Sequence, residues 1–374
     1  MASQLLSLAG PASELMRIPK PVGILNVFFP NLYGFLFIRV VEGDNGHSAQ
    51  QTLLIQLPTL FFSAFIVRSA GCVWNDIVDM DLDRLVERTR TRPLPRGAIS
   101  PAAAQWLAFF LYAIWISTLR VLLPTTQALF VYGAPLTVLA IAYPYMKRIT
   151  NYPQIWLGFT LAFGVFLGGT VAGFDIFQFM ADAIYKADAN KLDFKLLDGR
   201  AYGLMLLHLA YVVFSIIADT IYAFQDCKDD EKAGIKSMAL SLSGQTKPAL
   251  WVLTHAQVIL LMLTGMCFSS DMSGRVEGST SLYISDTGQQ PRLSASNTST
   301  VFPVLMAKSF QQRWSFWIVA VLGNAVVLSL MVERVNLSDP ADCARWFKMG
   351  TFGVGFTIGI GLLLEYVRQV LQIL

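Results

Sequence analysis

The 374-residue chain is 54% hydrophobic and only 14% charged, and its mean hydropathy is +0.52; an ordinary soluble domain carries about 25% charged residues. So few charges exclude a soluble enzyme, a disordered or collagen-like chain and a disulfide-rich scaffold, and leave an all-α polytopic membrane protein. A net charge of +3, with no basic patch interleaved with aromatics, gives no reason to expect nucleic acid as a partner.

Crossing ~30 Å of hydrocarbon takes about 20 apolar residues in a helix. Nine segments meet that length, roughly 21–40, 51–72, 102–123, 125–145, 153–175, 202–222, 248–268, 314–333 and 346–366. Ahead of the first, residues 1–16 contain no Lys or Arg. They resemble neither a secretory n-region nor a transit peptide, which favours insertion at the endoplasmic reticulum through the first span. Only Leu123-Pro124-Thr125 separates the third and fourth spans, so they should form a tight antiparallel pair. Segments 176–201 and 269–313 read as loops inserted into a single domain over 1–374. The second is rich in Ser, Thr and Gly and carries the sequon Asn297-Thr298-Ser299, a candidate glycosylation site. With nine spans, the short loops rich in Lys and Arg (73–101, 147–148, 223–247 and 334–348) share one face with the N-terminal tail. That face is expected to be cytoplasmic. A second sequon at Asn336 falls on it, where glycosylation is not expected. Cys72, Cys227, Cys267 and Cys343 form no CxxC, and His47, His208 and His255 form no metal-ligand spacing.

The acids carry the functional signal. The second span runs into Asn75-Asp76-Ile-Val-Asp79-Met-Asp81-Leu-Asp83-Arg84, and the sixth into Asp219-Thr-Ile-Tyr222-Ala-Phe-Gln225-Asp226-Cys-Lys-Asp229-Asp230. Both lie at the cytoplasmic-face ends of apolar helices, where carboxylates are costly unless compensated. On a helix, Asn75, Asp79 and Asp83 follow one another at i, i+4, i+8, each turned by about 40°. Asp76 shares that broad face and Asp81 points away. Asp219, Tyr222, Asp226, Asp229 and Asp230 likewise fall within one broad helical face, and Lys228 points elsewhere. Packed carboxylates repel one another unless cations lie among them, and oxygen-only donors suit Mg²⁺, which also takes phosphate oxygens. Arg68, Arg84, Arg88, Arg90, Arg92, Lys232 and Lys236 are nearby in sequence, and Tyr143 stands one helical turn before Lys147 on the same face. Acids, Mg²⁺ and bases at a membrane surface describe a diphosphate site. A transporter would instead place charges in the middle of its spans.

These motifs resemble the UbiA family of intramembrane aromatic prenyltransferases, across roughly residues 15–265. Asn75-Asp76-x-x-Asp79-x-x-x-Asp83, followed by Arg92-Pro-Leu-Pro-Arg-Gly97, matches the family's first motif, and Asp226-x-x-x-Asp230 matches its second. Lys232-Ala-Gly-Ile-Lys236, Tyr143-Pro-Tyr-Met-Lys147-Arg148 and Pro153-Gln154-x-x-Leu157-Gly158 are similar too. In Arg17-Ile-Pro-Lys20-Pro21-x-Gly23 the sequence departs, since the family commonly has an acid before the lysine. The resemblance implies a nine-helix bundle around a central cavity open to lipid. It implies Asn75, Asp76, Asp79, Asp83, Asp226 and Asp230 as holders of Mg²⁺. Arg68, Asn75, Arg88, Arg92 and Lys147 would bind diphosphate, and Asp76, Asp79, Asp83, Asp226, Asp230, Tyr143 and Lys147 would be catalytic. Aromatics such as Trp74, Trp156, Phe159, Phe163 and Phe166 are candidates for shielding an allylic cation, and Asp219 or Asp229 for taking a proton. The implied partners are a polyprenyl diphosphate, with farnesyl diphosphate favoured, an aromatic acceptor and the lipid bilayer. The implied reaction is Mg²⁺-dependent prenylation of a phenolic, polyketide-derived acceptor in meroterpenoid biosynthesis. The alternative is a 4-hydroxybenzoate polyprenyltransferase of ubiquinone biosynthesis in the mitochondrial inner membrane.

Overall fold

Hydrophobic runs of about 20 residues fold as helices in a bilayer because only a helix satisfies every backbone group within its own segment. The structure, a computed structural model, describes residues 2–42, 52–186, 198–268, 306 and 309–371. Among these all regular secondary structure is helical, with nine helices long and apolar enough to cross a membrane. In chain order the helices are α1 (Ala2–Leu15), α2 (Val22–Glu42), α3 (Leu54–Val78), α4 (Met80–Asp83), α5 (Pro101–Leu122), α6 (Thr126–Ile149), α7 (Pro153–Ala172), α8 (Ile176–Lys186), α9 (Gly199–Ala223), α10 (Cys227–Ala233), α11 (Met238–Leu242), α12 (Thr246–Met266), α13 (Phe316–Arg334) and α14 (Pro340–Val370).

The spans fall within a few residues of their expected positions, with two consequences. Span α3 runs six residues further than expected, so Asn75 and Asp76 stand on its last turn. Segment 176–201 begins with the helix α8, where a loop was expected; Ile176, Phe177, Phe179 and Met180 pack against the core while Ile184 and Tyr185 are exposed. Most of the 269–313 segment, including Asn297, lies outside the described residues.

Helix α2 is the hub of the bundle, contacting α3, α7, α9 and α14. Lipid tails are as apolar as Leu, so spans associate through close backbone packing at small residues rather than through hydrophobicity. The α2–α7 pair shows this directly. A Cβ at Gly34 would lie 1.8 Å from the Val165 carbonyl oxygen, and one at Gly168 would lie 1.9 Å from that of Asn31. Helices α3, α5 and α6 form the other side of the bundle, α12 and α14 pack against α9, and α13 packs against both α12 and α14. Ser100 and Asp339 cap α5 and α14, each followed by Pro at the first turn, which fixes where these spans leave the loops that precede them.

Candidate active site

The two acid clusters meet in one cleft. Span α3 ends at Val78, but the Asp79 N–H still donates to the Asn75 carbonyl (2.8 Å) and the Asp83 N–H to the Asp79 carbonyl (2.8 Å). The i, i+4, i+8 stack therefore survives the break between α3 and α4, with Asn75 Nδ2 3.2 Å from Asp79 Oδ2. Asp81 points outward, as its angle requires, and pairs with Arg84 at 2.9 Å. The second cluster is not one helical face. Helix α9 stops at Ala223, and Asp226 stands at the N-terminus of the separate helix α10. That turn brings Asp226 and Asp230 over the cleft, where a continuous helix was expected. Asp229 instead accepts the Glu87 N–H at 3.2 Å and ties α10 to the 84–100 loop.

A cavity of about 200 Å³ has Asn75, Asp79, Asp83, Arg88, Arg92, Tyr143, Lys147, Asp219, Asp226 and Asp230 on its walls. Four of the acids, Asp76, Asp79, Asp83 and Asp226, are each held by a base. Lys147 Nζ lies 2.7 Å from Asp79 Oδ2, and Arg92 Nη1 lies 2.6 Å from Asp83 and 3.1 Å from Asp76. Arg88 forks onto Asp226, with Nε 2.8 Å from Oδ1, and its guanidinium also lies over the Tyr222 ring at 5.4 Å. Beside Asp226, the Arg88 guanidinium is held in its charged form despite burial. Burial pushes the Asp83 carboxyl above the usual range, with Arg92 opposing. Burial, assisted by the Asp226 charge, raises Asp230 to about 7. The motifs are also joined through backbone: the Lys236 N–H donates to the Lys147 carbonyl (3.0 Å), and the Met238 N–H to Gln154 Oε1 (3.1 Å).

The donor chemistry fits Mg²⁺. The acids offer oxygen alone, and Asp76 Oδ2 and Asp79 Oδ1 are buried without a hydrogen-bond partner. Among the described residues no three His, Cys, Asp or Glu form a ready-made metal cage. Mg²⁺ does not need one, since it usually takes one or two carboxylates together with waters and substrate phosphate.

Two further cavities adjoin the cleft at Tyr143. One, of about 270 Å³, is largely apolar and descends between α2, α3, α5, α6 and α7 beneath Arg17, Arg68, Asn75, Asp76 and Arg92. The other, of about 850 Å³, opens between the 14–27 segment, α9 and α14, and includes Lys20, Arg68, Arg88, Arg96, Asp219 and Lys348. Arg68 thus lines these two cavities and not the acid cleft; its Nη1 lies 2.8 Å from Cys72 Sγ, and Gly23 leaves room for its guanidinium. Asp76 likewise faces the roof of the apolar cavity. Trp74, Trp156, Phe159, Phe163 and Phe166 line none of the three cavities. Trp74 and Trp156 donate to the α6 carbonyls of Ile141 and Leu139, and Phe159 and Phe166 pack against His208. The aromatics at the apolar cavity are Trp115 and Tyr143.

Sequence reasoning left Arg17 without a role. Its Nη2 lies 2.7 Å from Asp76 Oδ1, and its backbone adopts the left-handed region (φ 56°), a conformation that costs about 1–2 kcal/mol for a side chain with a Cβ. Its signal in sequence was a lone arginine just ahead of the first span. Arg96 adds a second tether from the 84–100 loop to the N-terminal segment, through Glu14 at 2.9 and 3.0 Å.

Comparison with known proteins points to one family. The model of the UbiA prenyltransferase family matches residues 45–276. The chain is 28% identical to the mitochondrial 4-hydroxybenzoate polyprenyltransferase of Schizosaccharomyces pombe, over 96% of this chain and 80% of the relative. It is 32% identical to the polyprenyl transferase prhE of Penicillium brasilianum, over 71% of this chain and 75% of the relative. Among solved structures, a UbiA homolog from Aeropyrum pernix superposes with a TM-score of 0.60 at 19% identity, covering 91% of this chain and 97% of that one. A UbiA homolog from Archaeoglobus fulgidus bound to GPP and Mg²⁺ superposes at 0.50 with 15% identity, covering 92% and 99%. The chain belongs to the UbiA prenyltransferase family and is a multi-pass membrane prenyltransferase.

Proposed function

We propose that this UbiA-family prenyltransferase transfers a farnesyl group from its diphosphate to a phenolic, polyketide-derived acceptor, in an Mg²⁺-dependent reaction of meroterpenoid biosynthesis. The observation that carries the reading is the convergence of Asp79, Asp83, Asp226 and Asp230 with Arg88, Arg92 and Lys147 on one cleft, directly above an apolar cavity. Asn75, Asp76, Asp79, Asp83, Asp226 and Asp230 are the residues to hold Mg²⁺, which when bound supplies Lewis-acid neutralisation of the leaving diphosphate. Arg88, Arg92 and Lys147 bind the diphosphate oxygens, and Arg68 addresses the substrate from the wall shared by the other two cavities. Cleavage of the allylic C–O bond leaves a cation that must meet an electron-rich ring before water does. The apolar walls beneath the cleft exclude that water, and the Tyr143 ring, 5.9 Å from Lys147 Nζ, stands where all three cavities meet. A C–C bond then forms to the ring, and the ring proton leaves. Asp219, which borders both the cleft and the wide cavity, is placed to take it.

The fungal relative prhE supports the meroterpenoid branch. The 96% coverage of this chain by a relative named as a 4-hydroxybenzoate polyprenyltransferase supports a second reading, long-chain transfer in the mitochondrial inner membrane. In the first reading the protein resides in the endoplasmic reticulum with the 73–101 loop cytoplasmic. Microsomes bearing the expressed protein, given radiolabelled farnesyl or long polyprenyl diphosphate with 4-hydroxybenzoate or orsellinate-like acids, separate the two. Farnesylation of the polyketide-type acid is expected; long-chain transfer to 4-hydroxybenzoate would move the protein to quinone biosynthesis.

A further inference from the structure

The apolar cavity has a floor, and its depth can be read from helix geometry. Four spans each contribute a deepest lining residue: Ser63 on α3, Trp115 on α5, Leu136 on α6 and Leu167 on α7. Counting along each span from its cytoplasmic-side end at Val78, Pro101, Ile149 and Pro153, with a rise of 1.5 Å per residue, all four lie about 20–22 Å down. Four independent helices therefore close the cavity at one level. Asn75 and Asp76 at its mouth stand on the last turn of α3, and from Asp76 to Ala64 the cavity descends about 18 Å.

Trp115 is the largest of the floor residues. It is the only α5 side chain on the lining, its exposure is 0%, and it packs edge-on against Tyr112 with ring centroids 6.3 Å apart. A buried indole N–H usually finds an acceptor. This one has no hydrogen-bond partner among the described residues, so the ring acts here through its bulk rather than through polar contact.

We propose that Trp115, seated on the level of Ser63, Leu136 and Leu167, sets the length of the prenyl chain that the enzyme accepts. The inference rests on the reading of the acid cleft as the diphosphate site. With the diphosphate held there, the tail descends into the apolar cavity. Carbon–carbon bonds of about 1.5 Å in a zigzag advance roughly 5 Å per isoprene unit, so a descent of about 18 Å takes three whole units and falls short of a fourth. A farnesyl chain fits above the floor, and a longer chain must fold back or leave the cavity. Ala140, one turn above Leu136 on α6, lies on the wall part-way down and offers a place to shorten the cavity instead.

The test measures kcat/KM for geranyl, farnesyl and geranylgeranyl diphosphates with one saturating acceptor, in wild type, Trp115→Ala and Ala140→Leu. Wild type should favour farnesyl over geranylgeranyl by tenfold or more. Trp115→Ala should bring that ratio close to unity, and Ala140→Leu should shift preference towards geranyl. Ala140→Leu adds bulk without opening a cavity, so it keeps the test decisive where Trp115→Ala fails to fold. A chain-length profile unchanged in the folded variants overturns the role of the floor and leaves the diphosphate site standing. Absence of transfer from every donor in wild type would instead strike the reading on which the inference rests.

Discussion

The acids and bases of the cleft neutralise one another across segments, and this makes Lys147 a sensitive place to perturb it. Lys147 is the only base within salt-bridge distance of Asp79 among the described residues, at 2.7 Å; the Asp79 side chain is 3% exposed and that of Lys147 is 27% exposed. Lys147→Met keeps the stem of the side chain and removes the charge. Breaking a buried pair in this way costs about 3–5 kcal/mol because one charge is left uncompensated, and the partial exposure of Lys147 points to the lower end. At roughly 2.1 cal/mol/K per residue, unfolding this chain carries about 0.8 kcal/mol/K of entropy, so ~3 kcal/mol lowers the melting temperature by about 4 °C. Mg²⁺ alone should restore most of that loss in Lys147→Met, because the divalent cation takes over the carboxylate that the ammonium vacated. In wild type, Mg²⁺ alone should change the melting temperature little, since it must first displace Lys147. Thermal unfolding of detergent-solubilised protein, with and without Mg²⁺, reads both effects. A Lys147→Met variant that melts lower yet ignores Mg²⁺ would refute the assignment of Asp79 to the metal.

Two further outcomes follow from the geometry. Gly168→Ala places a Cβ 1.9 Å from the Asn31 carbonyl oxygen, so backbone must move; a loss of ~2–3 kcal/mol is expected, seen as a lower melting temperature with the Mg²⁺ response unchanged. Burial raises Asp230 to about 7, so its protonated form contributes stability fully below about 4, and that contribution is lost as pH rises through 7. Mg²⁺ binding must release that proton, so apparent Mg²⁺ affinity should rise between pH 6 and 8, and Asp230→Asn should flatten the dependence.

The membrane fold was legible because its signal is one of composition: nine apolar stretches admit little but helices. Asn75, Asp76, Asp79 and Asp83 were legible because their spacing follows the helical turn, and the chain keeps that turn through the break at Val78. The second cluster was legible as residues but not as geometry. Phe224, Gln225 and Asp226 leave the helix by a turn that no Pro or Gly announces, and only the tertiary pairing of Arg88 with Asp226 explains the direction taken. Helix α8 escaped notice because eleven residues are too few to register as a span, and its burial against Tyr132, Phe163 and Phe166 is a long-range matter. Trp115 could not be singled out from eight tryptophans, since its position at the floor depends on three neighbouring helices reaching the same depth.

The central claim is that both acid clusters serve one Mg²⁺–diphosphate site, and prenyl-transfer turnover in Asp79→Asn and Asp226→Asn, titrated with Mg²⁺, tests it most directly. Each variant removes one charge from opposite sides of the cleft while keeping the side-chain shape. Both should insert into membranes normally and lose turnover by about 10²–10³-fold, the scale of removing one preorganised electrostatic contact, at every Mg²⁺ concentration. Wild-type turnover in either variant would contradict a site shared between the two clusters.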